Sequence, residues 1–206
     1  MLLDVNPNHP QPRKIGQAVE VLRAGGVIIY PTDTFYGIGC DLFNKKAIER
    51  IYQIKRRPKT KPFSFICADL KDIAQYAIVS NYAYKTMRRF LPGPYTFVLK
   101  GTKQVPRMML NNRKMVGIRV PDDSVALSLV AALGHPIIST SATIDSEDII
   151  SDASLLADHL GHSVDLVVDG GPRGFEPSSV ISLIDDQPVV LRQGKGEVSF
   201  FGGEDD

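Results

Sequence analysis

The chain has 206 residues, 43% apolar and 23% charged, with 24 Lys and Arg against 23 Asp and Glu for a formal charge of +1. This is the composition of an ordinary globular chain with enough apolar surface for a sizeable core, of a length that suits one domain and is cramped for two. It excludes a disordered protein and a uniformly basic nucleic-acid coat, so any electrostatic partner has to be read locally.

From Arg13 to Ala24, the residues Ile15, Ala18, Val19 and Leu22 fall on one stripe at helical spacing, and Gly25-Gly26 supplies a permissive stop. Val27-Ile28-Ile29-Tyr30 is a short apolar run rich in β-branched residues, as expected of a strand buried on both faces, and Pro31 ends it. A loop is expected over Pro31–Gly39. Ala47, Ile48, Ile51, Tyr52 and Ile54 then predict a second helix that Pro58 prevents from continuing.

Further strands are expected at Phe63–Cys67, Tyr95–Leu99, Val116–Val120, Ile137–Thr140, Leu166–Val168, Val180–Leu183 and Val189–Leu191, with helices near 81–90, 124–133 and 152–160. The last three strands follow one another without room for a helix. The expected fold class is therefore α/β, a single-domain twisted open sheet of mixed parallel and antiparallel strands flanked by helices. No internal repeat or linker is visible, since Pro92-Gly93-Pro94 and Gly170-Gly171-Pro172 are short and lie between strong elements. Gly202-Gly203-Glu204-Asp205-Asp206 reads as a mobile tail. Cys40 and Cys67 sit beside apolar residues without zinc-site spacing and read as small buried side chains. Met1-Leu2-Leu3-Asp4 has no signal-peptide pattern and no apolar run approaches a membrane span, so a cytoplasmic location is expected.

Charge is segregated along the chain. Lys55-Arg56-Arg57-Pro58-Lys59-Thr60-Lys61 carries five of the 24 basic residues, whereas Asp145, Glu147, Asp148, Asp152 and Asp158 lie in a stretch without Lys or Arg. A polyphosphate or nucleic-acid backbone would relieve the repulsion in the basic run. Solvated cations complementing the C-terminal dipole of the preceding helix are the alternative reading.

Hydroxyls gather at two strand exits. Pro31-Thr32-Asp33-Thr34-Phe35-Tyr36-Gly37 follows the first buried strand, and Ser139-Thr140-Ser141-Ala142-Thr143 follows Ile137-Ile138. Strand exits are where open α/β sheets bind ligands, although such residues also satisfy local turns or cap helices. Arg119 and Arg192 stand at two more strand ends, each needing an anionic partner, an internal carboxylate or a ligand. There is no Walker A sequence, dinucleotide-binding glycine pattern or nucleophile elbow, and Gly194-Lys195-Gly196 is too short to count. His9, His135, His159 and His162 lack metal spacing and read as surface or loop residues. Cations and hydroxyls without a nucleophile or base point to chemistry by positioning and electrostatic stabilisation of a phosphate-bearing substrate that brings its own nucleophile.

The ordered set Gly26–Gly37, Ile54–Pro58, Pro92–Thr96, Gly117–Pro121, Ser139–Thr143, Pro177–Val180 and Leu191–Gly194 resembles the YrdC-like family of L-threonylcarbamoyladenylate synthases over nearly the whole chain. The resemblance implies a YrdC-like (YrdC/RibB-type) domain over residues 12–200, with terminal extensions at 1–11 and 201–206, built around a basic concave cavity. It implies synthesis of threonylcarbamoyl-AMP and pyrophosphate from ATP, L-threonine and bicarbonate, with Mg²⁺ arriving on ATP and no protein metal site, for modification of transfer RNA. By position, Lys55 and Arg57 match a catalytic K-x-R motif at the phosphates, assisted by Lys61, Ser141, Thr143 and Arg192. Thr32, Arg119 and Ser178 fall where the family binds threonine, with Ser139 and Thr96 weaker members of that pocket. The family's S-x-N followed by Ser-Gly is here Ser141-Ala142-Thr143 followed by Ile144-Asp145-Ser146-Glu147, a departure that resembles the YciO-like branch. A hydroxyl at 143 lacks the amide's separate donor and acceptor groups. The rival reading is a non-catalytic module holding double-stranded RNA or transfer RNA in that cavity by phosphate contact, and a third is a scaffold with a vestigial pocket.

Overall fold

The structure, a computed structural model, describes residues 1–58, 63–71, 73–106, 109, 114–143 and 149–202. Lys59, Thr60 and Lys61 of the basic run, Asp145, Glu147 and Asp148 of the acidic stretch, and the tail beyond Gly202 lie outside the described residues.

Each major helix forms where an apolar stripe meets a cap. α1 (Pro12–Arg23) has Pro in its first turn and buries Ile15, Ala18, Val19 and Leu22. It stops where Gly25 adopts φ +85° and the Gly26 amide donates to Val21 O at 2.8 Å. α2 (Lys45–Ile54), α4 (Asn81–Phe90), α5 (Ser124–Leu133) and α6 (Ala153–Leu160) are N-capped by the side chains of Asn44, Ser80, Asp123 and Asp152 respectively. The hydroxyl cluster after Ile138 therefore does not cap the helix near 152. A single turn, α3 (Ile73–Tyr76), completes the α-helices among the described residues.

The strands, β1 (Leu2–Asp4), β2 (Val27–Tyr30), β3 (Gly37–Asp41), β4 (Ser64–Ile66), β5 (Ala77–Ile78), β6 (Tyr95–Gly101), β7 (Met115–Arg119), β8 (Ile137–Ser141), β9 (Leu166–Asp169), β10 (Ser179–Ser182) and β11 (Val189–Arg192), form one sheet. Its order is β1-β9-β2-β3-β8-β4-β7-β6-β10-β11, with β5 pairing on β6. β1–β9, β2–β9, β4–β7 and β6–β10 are parallel, and the other pairs are antiparallel. The mixed sheet expected from the crowded last strands is thus present.

Both faces of the sheet are covered. Ile28 and Tyr30 join α1 and α5 in one core, while Val27 and Ile29 join α2 and α6 in the other, which is why β2 reads as an unbroken apolar run. Cys40 and Cys67 are both buried.

α3 and β5 were not expected from the sequence, and two further segments differ from expectation. The expected loop over Pro31–Gly39 ends early, because Gly37–Asp41 is a central strand that pairs β2 on one side and β8 on the other. Glycine is a poor strand former in general, but here crowding demands it: a Cβ on Gly39 would lie 2.6 Å from Ile138 O and 3.0 Å from Tyr30 Cε1. Residues 1–11, expected as an extension, contribute edge strand β1 in parallel register with β9.

Candidate functional site

The centre of the sheet hollows into a cavity of about 390 Å³. Its floor follows from register. Ser64 pairs with Gly117 and with Ser139, and Gly37 pairs with Ser141, so glycine and serine occupy one face of four adjacent strands. A Cβ on Gly117 would stand 2.8 Å from Ser64 Oγ, and one on Gly37 3.0 Å from Ser139 Oγ. Small residues alternating at period two along β8 and across its neighbours thus create the concavity.

Three guanidinium groups enter this space, from Arg57, Arg119 and Arg192. Arg57 is delivered by the end of α2. Arg56 takes a left-handed φ of 47°, its amide donates to Gln53 O at 3.1 Å, and that of Arg57 donates to Tyr52 O at 3.2 Å. This Schellman-type reversal turns the basic run back toward the sheet. The Arg57 guanidinium lies 5.5 Å from the Phe63 ring centroid, and its buried Nε has no hydrogen-bond partner. Burial lowers the Arg57 pKa from its ordinary value, an effect partly opposed by Tyr52.

Arg192, at the end of edge strand β11, donates from Nε and Nη2 to Ser178 O at 3.2 and 2.8 Å. Its pKa is also lowered, first by burial and then by the positive charges of Arg119 and Arg57. Arg119 is only 7% exposed. It pairs with Asp33 and donates to Thr34 Oγ1 at 2.8 Å and Thr32 Oγ1 at 3.4 Å. Of the two partners open to it from sequence, the structure shows the internal carboxylate. Asp33 Oδ2 and Arg119 Nε are buried without hydrogen-bond partners.

All of the hydroxyls expected at the site except Thr143 converge on the same cavity. Thr32, Thr96, Ser139, Ser141 and Ser178 all line it. Ser178 Oγ and Thr96 Oγ1 are 2.9 Å apart, and Tyr30 donates to Ser139 Oγ at 2.6 Å. Burial pushes the Tyr30 phenol pKa upward, which keeps it a proton donor.

Lys55 and Thr143 are placed differently. Neither lines the cavity. The Lys55 ammonium is held by the chain's own β8 exit, donating to Ser141 O at 2.9 Å, to Thr143 Oγ1 at 3.0 Å and to Thr143 O. Lys61 lies outside the described residues.

Sequence reasoning missed Tyr30, Phe63, Ser64 and Gly117 as parts of the site. For Ser64 and Gly117 the available signal was a small residue at the inward position of an otherwise apolar strand. Lys195, in a Gly-Lys-Gly too short to signal a site, donates from its ammonium to Asp33 O at 2.6 Å and so pins the loop that carries Asp33.

The described wall residues include no Asp, Glu, His or Cys. The geometry therefore suits binding and electrostatic stabilisation of an anion, with no carboxylate, imidazole or thiol among the described wall residues to act as a base on the hydroxyls. Among the described residues no group of three or more His, Cys, Asp and Glu is placed to hold a metal, and no helix is long and apolar enough to cross a membrane.

Fold and site together define an α/β protein whose mixed sheet cups a cationic, hydroxyl-lined cavity. Residues 20–194 match the Sua5/YciO/YrdC family model, described as "Telomere recombination", and the chain belongs to that family. It is similar to the crystal structure of Escherichia coli YciO, with a TM-score of 0.93 and 45% identity over 98% of each chain. It is also similar to Pyrococcus abyssi Sua5 solved with L-threonine, with a TM-score of 0.88 and 30% identity over 94% of this chain and 57% of that one. The threonylcarbamoyl-AMP synthase of Vibrio vulnificus is 32% identical over 86% of this chain and 97% of its own length.

Proposed function

We propose that this chain is a nucleotidyltransferase of the threonylcarbamoyl-AMP synthase type, with ATP, L-threonine and bicarbonate as substrates. The observation that carries the reading is the convergence of Arg57, Arg119 and Arg192 with seven hydroxyl side chains on a wall whose described residues include no Asp, Glu, His or Cys. Two further facts support it: the relatives named threonylcarbamoyl-AMP synthases and the relative solved with L-threonine.

In the proposed reaction the threonine amine and bicarbonate combine to a carbamate with loss of water. A carbamate oxygen then attacks the α-phosphorus of ATP. The bond to the β-phosphate oxygen breaks, and its electron pair leaves on pyrophosphate. The protein holds reactants in line and neutralises the leaving group. Arg57 and Arg192 face the phosphates and Mg²⁺ arrives with ATP, whereas Arg119, steadied by Asp33, presents its remaining donors to the threonine carboxylate among Thr32, Ser139 and Ser178. Lys55 fixes the Ser141–Thr143 exit beside the phosphates and adds its charge from there.

The test is mass spectrometry for threonylcarbamoyl-AMP after incubation with ATP, Mg²⁺, threonine and bicarbonate, with Arg57→Ala and Thr143→Asn alongside. Product from the unaltered chain and none from Arg57→Ala is the expected result. Product from Thr143→Asn alone would mean that residue 143 has turned the activity down, and no product from any of them would refute the reading.

A further inference from the structure

Helix α4 carries a face that this chemistry does not use. None of its residues lines the cavity. Ala83 and Met87 are buried and Phe90 packs on the core, which consumes the helix's apolar side. At 3.6 residues per turn, the exposed positions fall in the order Tyr84, Arg88, Asn81, Lys85, Arg89, Tyr82 around an arc of about 160°. Three cations therefore lie between two tyrosines, and α4 contains no acidic residue. Tyr82 and Tyr84 are 42% and 45% exposed.

The patch continues onto the C-terminal segment. Arg89 lies 5.4 Å from the Phe90 ring centroid and 4.9 Å from that of Phe200, itself 57% exposed. Two rings thus hold one guanidinium in place on the surface. Arg88 and Arg89 also complement the helix C-terminal dipole, which accounts for their sign. The dipole accounts neither for Lys85 in mid-helix nor for the flanking tyrosines. The nearby carboxylate of Asp186 is engaged at the helix start, accepting from the N-cap hydroxyl of Ser80 at 2.5 Å.

We propose that the exposed face of α4 is a docking surface for single-stranded RNA, with Lys85, Arg88 and Arg89 on phosphates and Tyr82 and Tyr84 stacking on bases. Charge complementarity and exposed rings are the two components of such sites. A duplex keeps its base faces covered and leaves the tyrosines without a role. A membrane surface is disfavoured because an interfacial helix inserts its apolar face, and that face of α4 is already buried in the protein. The ten residues of α4 span about 15 Å, enough for about four nucleotides. The inference does not rest on the proposed synthase chemistry, since binding is measured without ATP or threonine.

The experiment is a fluorescence-polarisation titration of the full chain against a labelled single-stranded RNA of about a dozen nucleotides, repeated across a salt series. Three phosphate contacts at about 0.7 each predict a slope of log affinity against log salt of about −2. Joint replacement Lys85→Gln, Arg88→Gln and Arg89→Gln abolishes most of that slope. Tyr82→Ala with Tyr84→Ala weakens binding roughly tenfold or more with the slope retained, and Tyr→Phe at both positions preserves affinity. All five side chains are exposed, and circular dichroism confirms that each variant is folded. Binding that is unaltered by the α4 changes but lost in Arg57→Ala would put the RNA in the cavity and overturn the proposal. Absence of RNA binding at low salt, equal affinity for a duplex of the same length, or preference for anionic vesicles over RNA would overturn it as well.

Discussion

Replacing Arg119 by Met tests the central ion pair of the cavity. The side chains of Arg119 and Asp33 are only 9% and 8% exposed, and removing one member of a buried pair leaves an uncompensated charge at about 3–5 kcal/mol. For a chain of this size each kcal/mol is about 2–4 °C in Tm, so Arg119→Met should melt roughly 6–20 °C lower. Asp33→Asn should cost a similar amount, because Arg119 would then face Arg57 and Arg192 without its carboxylate. The double variant removes both charges and should be more stable than the sum of the single losses predicts, by several kcal/mol. Urea unfolding followed by circular dichroism gives all three values. A second readout separates electrostatics from packing: Asp33→Asn raises the net charge beside the cavity by one and should tighten pyrophosphate binding in calorimetry while it weakens the fold. Single losses below about 1 kcal/mol that simply add in the double variant would refute a coupled buried pair.

Other perturbations give outcomes of known direction. Gly39→Ala places a Cβ 2.6 Å from Ile138 O and should lower stability by about 1–3 kcal/mol in urea unfolding, as overpacking does. Lys55→Met removes the ammonium from Ser141 and Thr143 and should cost about 1.5–3 kcal/mol. It should also speed amide exchange at the β8 exit while reducing pyrophosphate affinity less than Arg57→Met does. Two aspartate helix caps should titrate with opposite sign. Burial raises the Asp123 pKa above its ordinary 3.8, so its stabilising contribution is present below 3.8 and fades as pH rises through the raised value. Hydrogen bonds, chiefly from the Ser154 hydroxyl, lower that of exposed Asp152, whose contribution is present above 3.8 and fades as pH falls through the lowered value. Urea midpoints against pH for Asp123→Asn and Asp152→Asn should lose pH dependence in opposite directions.

Much of this architecture was legible from periodicity. The stripes of α1 and α2 and the unbroken run of β2 appear within a residue or two of where spacing put them, because burial against a defined face imposes those patterns. β3 was illegible for a physical reason. Gly37 and Gly39 are chosen by close approach to Tyr30, Ser139 and Ile138, so a strand took the composition of a loop. At the site, the residue types were legible and the pairings were not. Which anion meets Arg119, and that Lys55 turns to Ser141 and Thr143, depends on strand register between segments some 86 residues apart in sequence. The floor of small residues was hidden for the same reason. It exists only when β3, β8, β4 and β7 lie side by side.

The cavity concentrates positive charge where the protein gives it little compensation. Arg57 is partly desolvated with an unpartnered Nε, and Arg192 feels both other guanidinium groups. Such an arrangement costs stability in the empty protein and is offset only by a bound anion, the trade expected where electrostatics are preorganised for a ligand. Arg57→Met should therefore leave the ligand-free protein as stable as the unaltered chain or more so, since the aliphatic side chain still covers Phe63 while the repulsion is gone. The same substitution should abolish the stabilisation conferred by pyrophosphate, which for the unaltered chain at about 100 times its Kd amounts to about 2.7 kcal/mol. Thermal unfolding with and without pyrophosphate measures both effects on one sample. A loss of stability in ligand-free Arg57→Met together with an unchanged pyrophosphate shift would mean that Arg57 holds the fold and some other group holds the anion.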